Sequence, residues 1–337
     1  MIITHDNHFV PQFYLNYWSR DKKMIYRYDL LVPNDKVPIW KYVSIKGNAY
    51  FPDLYTSIQD GTENEEFERL VKQDYEDPAK PIFEKVIKDK SLKKSEIDIL
   101  VRFLALQDIR TPTAYNEFVQ RGKNLPPIIE RVMKKAVKDI EESREKPIVA
   151  ANPEKYSDKF LNGSIKTTVS RNENGAGGVL ETQVDVGRQF WLFGQYNLLE
   201  NAAKRLLEHE WIIFRPFKGQ EWLTSDHPVV RLNYYENGSY DLRGGWGVEN
   251  GNIVMPLSPN HLLFTQIGSR EVPPTKELPL TTTNFFQRLI VERAYKWIYA
   301  SKPPKYIYML RKRVVDKVAY ENEIKNQNEW HKVQSKS

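Results

Sequence analysis

Up to about residue 62, apolar and polar positions alternate over short runs. Met24, Tyr26 and Tyr28 fall on one side of the run 24–29, the two-residue period of a strand. The run 39–45 is rich in β-branched and aromatic residues and ends in the turn signal Gly47-Asn48. No helical stripe follows Trp18 in this segment, which reads as strands and turns. From about 63 to 148 the period lengthens to that of a helix. A charged helix is predicted over 63–89, with Phe67, Leu70 and Val71 on one face and a break near Pro78 and Pro81. Ser95 followed by Asp98 reads as a capping box. The helix it opens is apolar nearly all round (Ile97, Ile99, Leu100, Val101, Phe103, Leu104, Leu106) and is predicted to be central and buried. Thr111-Pro112 reads as an N-cap followed by proline at the first helical position. The helix it starts ends in a mixed-charge face with Lys134, Lys135, Lys138, Glu141, Glu142 and Glu145.

Residues 147–185 collect Pro, Asn, Gly and Ser, including Asn174-Gly175-Ala176-Gly177-Gly178, and read as a flexible insertion with one or two strands. The glycine cluster lacks the Gly-Lys-Ser/Thr ending of a phosphate loop. A helix is predicted over 186–207, and 211–215 with 221–225 reads as a hairpin closed by Lys218-Gly219-Gln220. Asn237-Gly238 and Asn250-Gly251 are tight-turn signals. Strands are predicted at 253–256 and 262–266, a helix over 284–300 with Phe285, Leu289, Ala294 and Trp297 inward, and a last strand at 306–310. The tail 322–337 is polar and reads as frayed. The fold class expected is α+β in one domain over 1–320. Its parts are a strand-and-turn segment (1–62), a helical part (63–148), the insertion (149–185) and a helix plus mostly antiparallel sheet (186–320), with a polar tail over 321–337.

Composition narrows the functional classes. At 337 residues, with 40% hydrophobic and 28% charged, the chain has the means to bury a core. Its net charge of +6 permits nucleic acid as a partner without requiring it. The aromatics reach 12% but are spread along the whole chain, which favours packing over a stacking platform. Cysteine is absent, so a disulfide scaffold, a thiol nucleophile and a Cys-ligated zinc are excluded. A reducing cytoplasm fits that absence. No apolar run has the length of a membrane span, and the first residues lack a signal-peptide pattern. The expectation is a cytoplasmic protein with no membrane partner.

Four places could carry chemistry. In His5-Asp6-Asn7-His8-Phe9-Val10-Pro11-Gln12-Phe13-Tyr14-Leu15, His8 is a candidate general acid or base. A metal on His5 and His8 lacks a third ligand of good spacing, and the plainer reading is a structural segment that satisfies buried backbone. At the end of the buried helix, Gln107, Arg110 and Thr111 share a face that is apolar one and two turns earlier. A guanidinium there calls for an anion, either a phosphate or carboxylate ligand or an internal carboxylate. Thr224-Ser225-Asp226-His227-Pro228-Val229 places Asp226 as metal ligand, base or arginine partner, against an Asx-type turn. Adjacent Ser, Asp and His cannot form a nucleophilic triad among themselves. Pro256-Leu257-Ser258-Pro259-Asn260 reads as a turn.

In this order the four motifs resemble the family known as domain of unknown function 4238. His8 to Leu15 is similar to its opening signature. Gln107 with Arg110-Thr111-Pro112 is similar to its helix-end motif, Trp222 to Val229 to its Ser-Asp-Asn/His-Pro-Val motif, and Pro256-Leu257-Ser258-Pro259 to its Leu-Ser-Pro turn. Asn284 with Ala294 resembles its last helix, so the likeness runs from about 8 to 300. Relatives mostly carry Asn at the position of His227, which weakens a catalytic role for that residue. The resemblance implies a bacterial cytoplasmic protein, some of whose relatives lie in mobile-element regions linked to defence against phage.

The function expected is therefore an anti-phage effector acting as a nuclease, on RNA before DNA. His8 would be acid or base, Arg110 would hold the scissile phosphate, and Gln12 and Gln107 would position it. Asp226 would orient His8 or bind a metal, and Tyr14, Thr111 and Ser225 would line the substrate site, with no metal ligand set and no cofactor named by the residues. One alternative is a hydrolase or transferase of a nucleotide or small phosphorylated ligand; another is a non-enzymatic sensor or binding module. His8, Gln12, Gln107, Arg110 and Asp226 are expected to converge on one cleft, with Glu76 as a possible second carboxylate. An Arg110 saturated by carboxylates within the chain would favour the non-enzymatic reading.

Overall fold

Strands form early in the chain, where the alternation calls for them. A computed structural model describes residues 6–59, 62–142, 165–171, 178–235, 237–269 and 275–334. β1 (Asp6–His8) leads into a helical turn, α1 (Gln12–Leu15), continued as a 3-10 turn to Trp18. The opening motif is thus partly helical, although its four-residue helix is too short to leave a period. β2 (Met24–Asp29), β3 (Leu31–Val32), β4 (Lys41–Ser44), β5 (Tyr50–Pro52), β6 (Ser57–Gln59) and β7 (Thr62–Asn64) follow. The helical part holds α2 (Glu66–Leu70), α3 (Asp77–Ile87), α4 (Lys94–Ile109), α5 (Pro112–Gly122) and α6 (Leu125–Glu142). After β8 (Ile165–Arg171), β9 (Gly178–Val184) and α7 (Arg188–Glu200) come β10 (Ile212–Phe214), β11 (Thr224–Ser225), β12 (Val230–Tyr234), β13 (Tyr240–Asp241), β14 (Asn252–Ser258) and β15 (His261–Gln266). α8 (Leu280–Arg293), β16 (Trp297–Ala300), α9 (Ile307–Leu310), β17 (Val314–Val315) and α10 (Lys317–Gln334) end the described chain. The architecture is α+β.

The chain divides into two compact units, residues 1–113 with 197–337, and residues 114–196. The larger unit carries two antiparallel sheets, ordered β10-β15-β14-β12-β13 and β11-β16-β2-β4. All seven residues of β14 are buried, as suits a central strand covered on both faces. Phe286, Leu289 and Ile290 of α8 pack with Phe214, Trp222, Val230, Leu232, Val254 and Leu262 in one cluster. α4 is buried from Leu100 to Ile109 apart from Arg102, as its all-round apolar pattern predicts. In the smaller unit Tyr115 meets Trp191 edge-on at 5.0 Å, Phe118 meets Phe190 at 5.6 Å, and β8 and β9 form an antiparallel hairpin. His5, the residues 149–164, the residues 172–177 and the last three residues lie outside the described residues.

Several elements differ from the sequence reading, each for a local reason. The helix over 63–89 does not break at its prolines. α2 and α3 are joined by a π-helical stretch, Val71–Glu76, and Pro81 sits inside α3. A proline pushes on the carbonyl four residues back. For Pro78 that carbonyl is Asp74's, inside the π stretch, where Asp77 already bonds five residues back to Lys72. The capping box sits two residues earlier than expected: Glu96 accepts the Lys93 N–H at 2.9 Å, and Asp98 instead pairs with Lys94. The single helix expected after Thr111 is two, α5 and α6. The hairpin expected over 211–225 does not form. Its turn is present, with Gln220 N–H donating to Phe217 at 2.9 Å, but β10 pairs with β15 and β11 with β16 in different sheets. The helix expected over 284–300 starts at Leu280 and stops at Arg293, and Trp297 belongs to a strand. Residues 306–310 hold a helical turn, not a strand, and 317–334 of the tail is helical, opened by Asp316 accepting the Ala319 N–H at 2.9 Å.

Candidate functional site

The opening motif is tied down by its backbone. β1 pairs with β5, so that Asn7 faces Phe51 and His8 faces Tyr50. Just beyond, Gln107 Nε2 donates to the Phe9 carbonyl at 2.5 Å. One turn further along α4, Arg110 donates through Nη1 to Glu76 Oε1 at 2.6 Å, through Nη2 to the His8 carbonyl and through Nε to the Tyr55 hydroxyl at 3.1 Å. Tyr55 in turn donates to the Arg110 carbonyl at 2.7 Å, and its ring lies 5.3 Å from the guanidinium carbon. The Arg110 side chain is 1% exposed. Burial opposes its charge, but Tyr55, Glu76 and Glu68 more than offset this and raise its pKa. Glu68 sits beside the same cluster, where burial pushes its carboxyl up to about 6 against the pull of Arg110.

Tyr14 joins three of the motifs. Its hydroxyl donates to the Pro256 carbonyl at 2.7 Å and, its proton thus committed, accepts from Thr224 Oγ1 at 2.7 Å. Burial holds its phenol well above the usual range. Tyr14→Phe would leave a buried carbonyl and hydroxyl short of a partner. It is expected to lower the unfolding free energy by about 1–3 kcal/mol, read by urea denaturation. A loss under about 0.5 kcal/mol would remove Tyr14 from this role.

The other residues singled out from the sequence sit apart from the guanidinium. His8 presents its carbonyl to Arg110, while its ring Nε2 lies 3.2 Å from the Lys46 carbonyl and its centroid 5.8 Å from that of Tyr50. Gln12 is exposed, and Thr111 is fully buried. Ser225 Oγ accepts the His227 N–H at 3.1 Å in a local turn. Asp226 accepts the N–H of Tyr295 on Oδ1 at 2.9 Å and that of Lys296 on Oδ2 at 2.7 Å, which ends α8 and turns the chain into β16. Burial raises its carboxyl to about 6, against the pull of these N–H groups. Asp226 also lines a hollow whose other walls include Phe9, Tyr50, Phe51, Thr113 and Trp297. Thus His8, Gln107 and Arg110 meet through the main chain, Asp226 shares a hollow with the adjoining Phe9, and Gln12 joins neither.

A second polar network escaped the sequence reading. Asp108 accepts the Trp246 indole N–H on Oδ2 at 2.8 Å, and Arg231 Nε lies 3.2 Å from the same oxygen. Oδ1 is 3.9 Å from His227 Nε2, to which Arg293 Nη2 donates at 3.0 Å. That nitrogen therefore accepts, and the neutral imidazole carries its proton on Nδ1. Burial, helped by Arg293 and Arg231, lowers the His227 pKa against the pull of Asp108. Burial acts to raise the Asp108 carboxyl, yet the cations Arg231 and Arg293 hold it down at about 2. The only hint in the sequence was the position of Asp108 between Gln107 and Arg110. A third group, Ser258 Oγ at 2.8 Å from His261 Nδ1 and His261 Nε2 at 3.0 Å from Asp89 Oδ1, has the order of a nucleophilic triad. Its serine is 3% exposed and also accepts the Asn260 N–H at 3.2 Å, so the group serves as a tether between α3 and the β14–β15 turn. Among the described residues no three His, Cys, Asp or Glu side chains gather as a metal ion requires, and no helix is long and apolar enough to cross a membrane.

The family model described as "Protein of unknown function (DUF4238)" matches residues 6–304. The chain belongs to this family. No curated protein and no solved structure matches it. The DUF4238 match takes in all four motifs, the Asp108 network and every wall of the Asp226 hollow, and it stops before α9. What these DUF4238 motifs share in space is therefore a frame: Arg110, Gln107 and Tyr14 each donate to a main-chain carbonyl of another segment.

Proposed function

We propose that this DUF4238 protein is a non-enzymatic sensor or binding module whose motif residues frame a ligand hollow. One observation carries the reading: every nitrogen of the Arg110 guanidinium already serves a partner within the chain. A side chain so engaged and so buried is in no position to grip a scissile phosphate. The Asp226 carboxylate holds one backbone N–H on each oxygen, which leaves each oxygen one further acceptor site. A place in anti-phage defence belongs to this proposal through the family likeness, and the absence of cysteine supports a cytoplasmic setting.

A nuclease, or a hydrolase of nucleotides, is the second reading. It draws on the neutral His227 imidazole beside Asp108, Arg231 and Arg293, a base next to cations that suit a phosphate. One experiment separates the two. The purified full-length protein is incubated with single- and double-stranded RNA and DNA and with nucleoside triphosphates, each with Mg2+, Mn2+ or Zn2+. All substrates are expected to stay intact, while cells expressing the protein resist phage. Cleavage by the wild type that disappears in a folded His227→Ala variant would replace the binding reading with the hydrolytic one.

A further inference from the structure

The register of the smaller sheet builds the hollow. Thr224 faces Tyr299 across one ladder and Tyr299 faces Arg27 across the next, so the three share a sheet face. Trp297 lies two residues before Tyr299, on that face. Asp226 lies two beyond Thr224 and extends the ladder by donating its N–H to the Trp297 carbonyl at 3.1 Å. Phe9, Tyr50 and Phe51 cover the hollow from the β1–β5 pair, and Pro112 with Thr113 closes it at the start of α5. Counted out to its open mouth the hollow measures about 320 Å³.

The lining carries one carboxylate, with Thr113 and Lys296 among its other polar side chains. Asp226 is 3% exposed. Each oxygen accepts one backbone N–H, from Tyr295 and Lys296 respectively. A carboxylate oxygen has two lone pairs, so each keeps one acceptor site. Two such sites side by side match a ligand with two parallel N–H donors on one edge. The walls, by contrast, are aromatic: Phe9, Tyr50, Phe51 and Trp297 suit a flat, ring-bearing ligand. The Tyr299 hydroxyl, fully buried on the same sheet face, has no hydrogen-bond partner.

We infer that the Asp226 hollow binds the guanine base of a nucleotide, its ring N–H and exocyclic amine paired with the carboxylate. Adenine offers an N–H₂ beside a ring acceptor, which would set a lone pair against a carboxylate oxygen. The free guanidino group shares guanine's donor fork but lacks the flat ring system that the walls would cover. The inference rests on the binding-module reading of this site.

The test is calorimetric titration of the full-length protein with GMP, IMP, AMP, CMP and free arginine, each up to about 1 mM. GMP is expected to bind. IMP, which lacks the exocyclic amine, is expected to bind at least about tenfold more weakly, and AMP, CMP and arginine not measurably. Asp226→Asn should abolish GMP binding. Because Asp226 also holds the end of α8, Tyr50→Ala, which removes a half-buried wall, serves as the second variant, with an expected loss of about tenfold or more in a folded protein. No GMP binding by the wild type, equal binding of GMP and AMP, or arginine binding as tightly as GMP each overturns the inference. So does undiminished GMP binding by both folded variants. Absent GMP binding with substrates intact in the cleavage assay removes the guanine inference alone. Cleavage that depends on His227 removes the binding-module reading beneath it.

Discussion

Replacing Arg110 with alanine is expected to cost about 3–5 kcal/mol of folding stability. The buried guanidinium pairs with the part-buried Glu76, and it also holds the His8 carbonyl and the Tyr55 hydroxyl. Removing one member of a buried pair leaves the other charged and short of partners, which costs more than the pair itself contributes. Glu68, already pushed up to about 6 by burial, would lose the cation that most lowers it and rise further. Arg110→Lys keeps the charge but has a single nitrogen for three acceptors, and an intermediate loss of about 1–3 kcal/mol is expected. Both follow from urea denaturation read by far-ultraviolet circular dichroism and by tryptophan fluorescence. Should the alanine variant unfold within about 1 kcal/mol of the wild type, the clamp has been misjudged, and a ligand-gripping role for Arg110 regains its force.

Much of this architecture is legible in the sequence, and the unread part follows a pattern. α4 was readable because a helix apolar on nearly every side has only one place to go. Arg110 stood out because it ends that buried stripe. Its partners did not, because the His8 carbonyl lies 102 residues away and any main-chain carbonyl looks alike in sequence. The overlong helix expected at 284–300 has the same origin. Its apolar period runs on through Ala294 and Trp297, and the stop is imposed by the Asp226 carboxylate, which takes two N–H groups about seventy positions away. The false hairpin at 211–225 had a true turn, but Thr224 pairs better with Tyr299 than with its neighbour across that turn. Local signals place elements; long-range hydrogen bonds to the main chain decide where they end and what a motif is for.

Asp108 offers the second large effect, and it depends on pH. Asp108→Ala would strip the Trp246 indole and Arg231 of their acceptor and leave the guanidinium of Arg293 facing His227 without the carboxylate nearby. A loss of about 3–5 kcal/mol at neutral pH is expected. Asp108→Asn keeps an acceptor for the indole and removes only the charge, which makes it the cleaner probe. The folded-state pKa is depressed, from 3.8 to about 2, so the charge stabilises the fold at pH values above 3.8 and its contribution fades as pH falls from there toward about 2. That shift corresponds to roughly 2–3 kcal/mol. The stability gap between wild type and Asp108→Asn should therefore be constant from pH 7 to about 5 and narrow steadily below about 4. Denaturant unfolding of both proteins at matched ionic strength across this range reads the gap directly. A gap that stays level down to about pH 2.5 would mean that Asp108 acts through hydrogen bonding alone, and that the two arginines around His227 are balanced by something other than this carboxylate.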